Sequence, residues 1–218
     1  MIPLVHDFDG EVVLVFGGGA VGARKARRFA REARVVVVSP DFADADFGAS
    51  EFVRAAPDPD DVGAWLDAAA PALVVAATDD DALNAAVASV ARERGILVNR
   101  ADRSGERESG SVVVPATVDD GPVTVAVTTS GTSPAVSRHL RRELESVVDG
   151  AGVVATVVGD LRGELKERGV DPERRREAIR AAAADRVVWS AAKGSGDADR
   201  VRKAAARTVE EVLDGGDE

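Results

Sequence analysis

Short apolar runs alternate with stretches of helical periodicity along the first half of the chain. Five apolar runs predict strands: the run that begins at Val12, Val35 to Ser39, the weaker candidate Phe52 to Ala55, Leu73 to Ala77, and Leu97 to Asn99. A helical pattern follows the first run, and a short helix is predicted to begin at Pro59 to Asp61. A third helix is predicted from Asp79 to Arg94, where Gly95 ends it. Runs that are apolar at every position are typical of parallel strands buried on both faces. The pattern therefore predicts an α/β fold with a Rossmann-type parallel sheet.

The pattern changes from Ser111 onward. Val112 to Pro115 and Val123 to Thr129 are predicted to be strands, and Asp119 to Pro122 between them favour a turn. Two strands joined by a short turn indicate a small antiparallel pair.

Helical patterns follow this pair to the end of the sequence. Ser133 is expected to cap a helix that has Pro134 in its first turn and runs to about Val148. Further helices are expected beyond Gly150, with interruptions at Gly169 to Pro172 and at Gly194 to Gly196. We therefore predict three parts: a nucleotide-binding domain at 1–110, a small antiparallel β/α segment at 111–148, and a helical C-terminal domain at 149–218.

A glycine-rich loop joins the first strand to the first helix. The sequence VVLVFGGGAVGARK, residues 12–25, places Gly17, Gly19 and Gly22 in G-x-G-x-x-G spacing. Gly17 permits a tight turn, Gly19 lets the backbone approach a pyrophosphate, and Gly22 lets the helix pack close to the sheet. The N–H groups at the helix start, around Ala20 and Val21, then meet the phosphate charge. Three glycines also serve ordinary strand-to-helix turns, but the strand before them and the helix after them favour nucleotide binding.

Further cofactor-binding candidates follow the predicted strands, because open α/β sheets bind ligands at the carboxyl ends of their strands. They are Pro40, Asp41, Thr78, Asp79 and Asn99. A ribose-binding acid is expected roughly 20 residues after the glycine loop, and Asp41 occupies that place. The alternatives are that Asp41 only begins an acidic loop, and that Thr78 or Asp79 caps the following helix. No arginine directly follows the second strand to favour the 2′-phosphate of NADP.

Composition narrows the classes of function. The chain has no cysteine and only two histidines, His6 and His139, which excludes disulfides, a thiolate nucleophile and a cysteine or multi-histidine metal site. A metal is therefore expected only as a substrate, and His139 is expected to be packed or solvated. A net charge of −10 without a basic tail disfavours nucleic-acid binding. A membrane span and a signal peptide are not indicated, so we expect a cytoplasmic protein.

Several separated segments resemble the precorrin-2 dehydrogenase family, which includes the N-terminal module of siroheme synthases. They are VVLVFGGGAVGARK, VVVVSP, ATDDDALNAAVASVAR, VNRAD and VVVPATVDDGPVTVAVTTSGTSPAVSRHLRRELE, in the family's order across about residues 1 to 148. Arg24-Lys25 after the glycine loop and SGTSP before a basic helix are the most distinctive of these features.

This resemblance implies the activity and its partners. It implies NAD-dependent oxidation of precorrin-2 to sirohydrochlorin, with insertion of ferrous iron as a second activity in some members. It also implies a homodimer in which residues 111–148 and the C-terminal helices form the interface and the tetrapyrrole cleft. A regulator that binds NAD without turnover is the alternative from another class.

The resemblance also implies catalytic and substrate-binding residues. Asp102 matches the family's essential aspartate, and its carboxylate can accept the proton that leaves precorrin-2; the alternative is an ordinary surface aspartate. The substrate's carboxylates are expected to meet hydroxyl and N–H groups at a helix start, together with a following cation. These residues are Thr128, Thr129, Ser130, Gly131, Thr132, Ser133 and Arg138. Many relatives have a serine and two glycines where this chain has TTSG, so either Thr128 or Thr129 takes that serine's role. Ser133 and Pro134 would equally form an ordinary helix start.

Overall fold

A parallel sheet of five strands forms the centre of the first of two compact units. The computed structural model describes residues 2–101, 110–194 and 196–215. The strands are β1 (Val12–Phe16), β2 (Arg34–Ser39), β3 (Glu51–Arg54), β4 (Leu73–Ala76) and β5 (Leu97–Arg100). Their order is β3-β2-β1-β4-β5, and all neighbours pair in parallel. The strand order reverses between β1 and β4, which is where folds of this class bind dinucleotides.

Helices cover both faces of this sheet, which explains why its strands are apolar at consecutive positions. One face packs Val13, Val15 and Val37 against α1 (Ala20–Phe29). The other face packs Leu14 and Phe16 against α2 (Val62–Ala69), which follows a short 3-10 turn, and against α3 (Asp81–Glu93). Each fully buried aliphatic side chain contributes about 1.5–3 kcal/mol relative to its exposed state.

The second unit combines a two-stranded antiparallel sheet with five helices described by the structure. The strands are β6 (Ala116–Asp120) and β7 (Val123–Val127). The helices are α4 (Pro134–Val148), α5 (Ala151–Glu167), α6 (Pro172–Ala184), α7 (Arg186–Ala192) and α8 (Ala198–Asp214). The last four helices pack around their own apolar core. Within the described ranges, no helix combines the length and the apolarity needed to cross a membrane.

The antiparallel pair forms with a different first strand from the one predicted. The prediction of a strand at Val112 to Pro115 was wrong: Ser111 makes a single parallel bridge to Val98, and the Val112 N–H donates to the Val98 carbonyl over 2.7 Å. The strand is β6, which extends through Asp119 and Asp120 and turns at residues 121–122. Asp119 and Asp120 lie in a strand because their carboxylates find hydrogen-bond donors there.

Those partners come from a neighbouring strand and a following helix. The Asp119 carboxylate accepts a hydrogen bond from the Thr124 hydroxyl, and the Asp120 carboxylate accepts one from the Gly152 N–H at the start of α5. Such long-range bonds satisfy side chains that local statistics assign to turns.

Candidate cofactor site at the glycine loop

Gly17 and Gly22 are required by the packing of the protein itself. Gly17 has a φ of +118°, and a Cβ built there would lie 2.7 Å from the carbonyl carbon of Ala77 and closer still to its oxygen. A Cβ on Gly22 would lie 3.0 Å from the Gly17 carbonyl carbon, again closer to the oxygen. Both glycines therefore let backbone segments approach closely, as the spacing predicted for the turn and the helix packing.

Gly19 is different, because the fold itself makes no demand for glycine there. Its φ of −79° and ψ of −178° suit any residue, and no other atom of the described chain lies within 4 Å of a Cβ built on it. Gly19 is the N-cap of α1, and Ala20 and Val21 after it are exposed. The first N–H groups of a helix have no intrahelical acceptor, so they face open space at this position. This geometry fits a pyrophosphate seated on the helix start.

Close packing also requires glycine at position 18, which the G-x-G-x-x-G spacing did not predict. A Cβ on Gly18 would lie 2.9 Å from the Cβ of Ser39 and closer still to the carbonyl oxygen of Asp41. The Ala43 N–H donates to the Gly18 carbonyl over 2.8 Å. The loop after β2 is therefore packed directly on the glycine loop, which places Pro40 and Asp41 beside it. The uninterrupted run of three glycines was the available signal in the sequence.

Asp41 presents an accessible carboxylate next to this loop. Its side chain is 94% exposed, and its Oδ1 lies 3.0 Å from Nη1 of Arg54. The same nitrogen donates to the Pro40 carbonyl over 2.7 Å, and the guanidinium lies 5.4 Å from the centre of the Phe42 ring. Sequence reasoning found no arginine after β2, but the fold brings one from the neighbouring strand β3.

Thr78 is fixed by a buried amide that sequence reasoning did not identify. The Thr78 hydroxyl donates to Oδ1 of Asn84 over 2.8 Å, and Nδ2 of Asn84 donates to the Thr78 carbonyl over 2.9 Å. Asn84 is fully buried, whereas Asp79 is exposed. The alternative that Thr78 or Asp79 caps the next helix was wrong: α3 begins two residues later than predicted because Asp80 accepts from the N–H groups of Ala82 and Leu83.

Asn99 carries a buried polar atom without a described partner. The residue is 5% exposed, and its Nδ2 donates to the Val112 carbonyl over 2.7 Å. Its Oδ1 has no hydrogen-bond partner among the described residues. A buried acceptor left in this state costs about 1–3 kcal/mol. Asp102, the predicted catalytic residue, lies outside the described residues.

Lys25 of the Arg24-Lys25 pair is mostly buried. Burial, with smaller contributions from the positive charges of Arg24 and Arg28, lowers the pKa of Lys25 from 10.5 to about 8. A lysine in this state is easily neutralised, because the folded protein disfavours its charge.

The predicted substrate-binding run begins helix α4 as expected. Ser133 caps the helix, since its Oγ accepts from the Val136 N–H. The Thr129 hydroxyl donates to the Ser133 carbonyl over 3.0 Å and lies 3.1 Å from Oγ of Ser137. Between Thr129 and Ser133 the backbone takes positive φ values, +54° at Ser130 and +84° at Gly131. The side chains of Thr132 and Arg138 are exposed.

Comparisons with known proteins identify the family of this chain. The family model "Putative NAD(P)-binding" matches residues 4–116, and a model of the central part of sirohaem biosynthesis proteins matches residues 120–146. The precorrin-2 dehydrogenase of Methanosarcina barkeri is 32% identical over 216 residues, which cover 94% of this chain and 91% of the relative. The chain belongs to the precorrin-2 dehydrogenase family. The resemblance inferred from its sequence segments is thereby confirmed.

Siroheme synthases are also relatives of this family member, although they are longer. The siroheme synthase of Sodalis glossinidius is 34% identical over 221 residues, covering 98% of this chain but 43% of the relative. The enzyme of Pseudomonas paraeruginosa is 37% identical over 183 residues, covering 80% and 37%. The chain therefore spans less than half the length of these synthases.

A solved structure confirms the predicted fold class. The structure of SirC, a precorrin-2 dehydrogenase, matches with a TM-score of 0.68 at 21% identity and covers 98% of this chain and all of that one. The Rossmann-type sheet, the small antiparallel pair and the helical C-terminal region thus form a fold that this chain shares with that structure. The glycine loop lies within residues 4–116, which the NAD(P)-binding family model matches.

Proposed function

We propose that this member of the family is an NAD-dependent oxidoreductase that converts precorrin-2 to sirohydrochlorin. The observation that carries the proposal is an open glycine loop at the reversal of strand order, in a chain that matches a precorrin-2 dehydrogenase over 94% of its length. A nicotinamide enzyme whose cofactor diffuses freely suits the cytoplasm, which we propose as its location.

The residues at the loop suit NAD better than NADP. The pyrophosphate would accept hydrogen bonds from the N–H groups at the start of α1, beside Gly19. The exposed carboxylate of Asp41 has lone pairs left to accept the ribose 2′-hydroxyl, although it already bonds Arg54. A 2′-phosphate would meet the negative charge of Asp41 instead. Thr78, held in place by Asn84, offers a further polar contact along the same sheet edge, and Asn99 lies beside it on the neighbouring strand β5.

The oxidation removes a hydride from one carbon of precorrin-2 and a proton from another position. A bound nicotinamide ring supplies the acceptor of the hydride. We assign the proton to the carboxylate of Asp102, which follows the end of β5 by two residues in the sequence. The hydroxyl and N–H groups from Thr128 to Ser133, with Arg138, would hold the carboxylate arms of the substrate at the start of α4.

An anaerobic assay tests this assignment. Purified protein is mixed with precorrin-2 and NAD, and NADH formation is compared between the wild type and Asp102→Ala. Turnover should fall by about 10²- to 10⁴-fold, the usual contribution of a general base, whereas the affinity for NAD should change little. Turnover equal to that of the wild type would remove Asp102 from the mechanism. A wild type that binds NAD but forms no NADH from precorrin-2 would favour the regulator that binds NAD without turnover.

Ferrous iron would enter as a substrate rather than a resident cofactor. In the described part of the chain, no three metal-binding side chains come together. Incubation with sirohydrochlorin and ferrous iron, measured against the spontaneous rate, decides whether the same protein also makes siroheme.

We propose that the protein is a homodimer that uses an apolar stripe on α4. Val136, Leu140 and Val147 lie on one side of this helix and are 47%, 42% and 63% exposed. A contiguous apolar stripe of this kind on an isolated chain is typical of a protein interface. The predicted role of residues 111–148 in dimerisation and substrate binding agrees with this proposal.

A further inference from the structure

A groove in the helical unit is lined by positive charge. It encloses about 380 Å³ against α5 and α6 and is bounded by Arg162 of α5 and by Arg175, Arg176 and Arg180 of α6. Ile179 and Ala183 supply apolar surface to the same groove. None of these side chains takes part in the dehydrogenase site proposed above.

The arginines converge because of their spacing on α6. Residues 175 and 176 are followed at spacings of three or four positions by 179 and 180, and these by 183, so the five lie on one side of the helix. Two of the guanidinium groups are held by backbone carbonyls: Arg175 Nη1 donates to Val170 over 3.2 Å, and Arg176 Nε donates to Pro172 over 3.1 Å. Their remaining N–H groups are left for other acceptors.

Several arginines elsewhere in the described residues are paired with a carboxylate. Arg34, Arg94 and Arg207 each lie within 3.0 Å of a carboxylate oxygen. In the described part of the chain, Arg162 and Arg180 have neither an ion pair nor a hydrogen bond, in a protein with 38 acidic and 28 basic residues.

The nearest acidic side chains do not fill the groove. Glu173 and Glu177 lie three positions before Arg176 and Arg180 on α6, but neither is among the residues that line the groove. On α5, Glu164 pairs with Arg202 of α8. Four like charges repel one another, and a small anion would relieve that repulsion.

We propose that this groove binds a small organic anion that carries at least two carboxylate or phosphate groups. Guanidinium groups bind both kinds of oxyanion through paired hydrogen bonds, and Ile179 and Ala183 would contact the apolar part of the ligand. The volume of the groove falls in the range of small-molecule sites, roughly 300–1,000 Å³. The proposal does not depend on the identity of the dehydrogenase substrate.

Calorimetric titration with two probes tests the site. Benzene-1,3,5-tricarboxylate presents carboxylates on an apolar ring, and pyrophosphate presents phosphates. The groove variant is Arg162→Gln/Arg180→Gln, in which both side chains are exposed and neither has a described hydrogen bond. The matched control, Arg186→Gln/Arg200→Gln, removes the same charge from another surface of the same unit. The thermal midpoint of each variant verifies folding.

The groove variant should bind at least one probe about tenfold more weakly than the wild type, and the control should match the wild type. Loss for the tricarboxylate alone would identify a carboxylate ligand, and loss for pyrophosphate alone a phosphate ligand. Equal affinities in the wild type and the groove variant, or no binding by the wild type at millimolar concentration, would overturn the proposal. So would a change of oligomeric state in the groove variant, which would assign the arginines to a subunit contact.

Discussion

Gly19, the N-cap of α1, and Gly22, in the first turn of α1, lie three residues apart, yet their substitution should have opposite consequences. A side chain at Gly19 would enter open space, whereas a Cβ at Gly22 would meet the backbone of Gly17. Gly19→Ser should therefore fold normally and bind NAD weakly. Gly22→Ala should mainly lower the stability of the folded protein.

The magnitudes follow from the local geometry. Serine is a slightly better N-cap than glycine, and loss of glycine restricts the unfolded chain, so Gly19→Ser should change stability by less than about 1 kcal/mol, in the favourable direction. The new side chain would occupy the place of the pyrophosphate and displace a charge-assisted hydrogen bond worth about 1.5–3 kcal/mol. This corresponds to NAD affinity roughly 10- to 100-fold lower. Gly22→Ala forces backbone atoms apart and should cost about 2 kcal/mol or more.

Urea denaturation and calorimetric titration with NAD measure the two effects separately. Gly159→Ala is the matched control, because Gly159 is also an exposed glycine with open space around a built Cβ, but it lies in α5. The control should gain up to about 1 kcal/mol from helix propensity and retain NAD affinity. Wild-type NAD affinity in Gly19→Ser would refute the placement of the pyrophosphate. Wild-type stability in Gly22→Ala would refute the packing argument.

Three further predictions concern charge and assembly. Lys25 carries its charge in both the folded and the unfolded protein below pH 8, and burial of that charge lowers stability by at most about 3 kcal/mol. Lys25→Met should therefore be more stable than the wild type at pH 7 in urea denaturation, and the difference should shrink between pH 8 and 10.5; a constant difference would contradict the lowered pKa. Asp41→Asn should raise the affinity for NADP relative to NAD by about tenfold in titrations, because it removes a negative charge beside Arg54; an unchanged ratio would place the ribose elsewhere. Leu140→Arg should shift the sedimentation coefficient from dimer to monomer, whereas an unchanged dimer would exclude the α4 stripe as the interface.

The sheet could be predicted from sequence because strands that are buried on both faces are apolar at consecutive positions. Strands β1, β2 and β4 are apolar at nearly every position, and the structure places them at the centre of the sheet. Segment 112–115 has the same apolar appearance but lies outside the named strands. Its first residue, Val112, packs beside β5 instead, and apolar composition alone does not distinguish the two arrangements.

Breaks between helices were predictable only where glycine or proline marks them. The interruption before α6 contains Gly169 and ends at Pro172, the first residue of α6, where it was expected. The break between α6 and α7 was missed, because it occurs at Asp185 within a run of good helix formers. Asp185 accepts from the Val187 N–H and also from the Thr208 hydroxyl of α8. The second of these contacts joins residues far apart in sequence, so local pattern did not reveal it.

The same limit applies to the cofactor site. Spacing identified Gly17, Gly19 and Gly22 together, but it did not separate the glycines that the fold requires from the one that it leaves open. Arg54 and Asn84 reach the site from other elements, and their relevance depends on strand order and helix placement. No local motif encodes either contact.

The division of roles among the glycines has a consequence for binding. Gly17 and Gly18 bring the loop against the ends of β4 and β2, so neighbouring strands fix its conformation before any ligand arrives. Of the three consecutive glycines, only Gly19 is exposed. A loop that is already ordered loses little conformational entropy on binding, so more of its hydrogen-bond energy remains as affinity. Substitutions at Gly17 or Gly18 should therefore reduce NAD affinity through disorder of the loop, whereas substitution at Gly19 should act by occupying the ligand's place. Hydrogen exchange of the Ala43 amide, which donates to the Gly18 carbonyl, separates the two causes, because exchange should accelerate only in the first case.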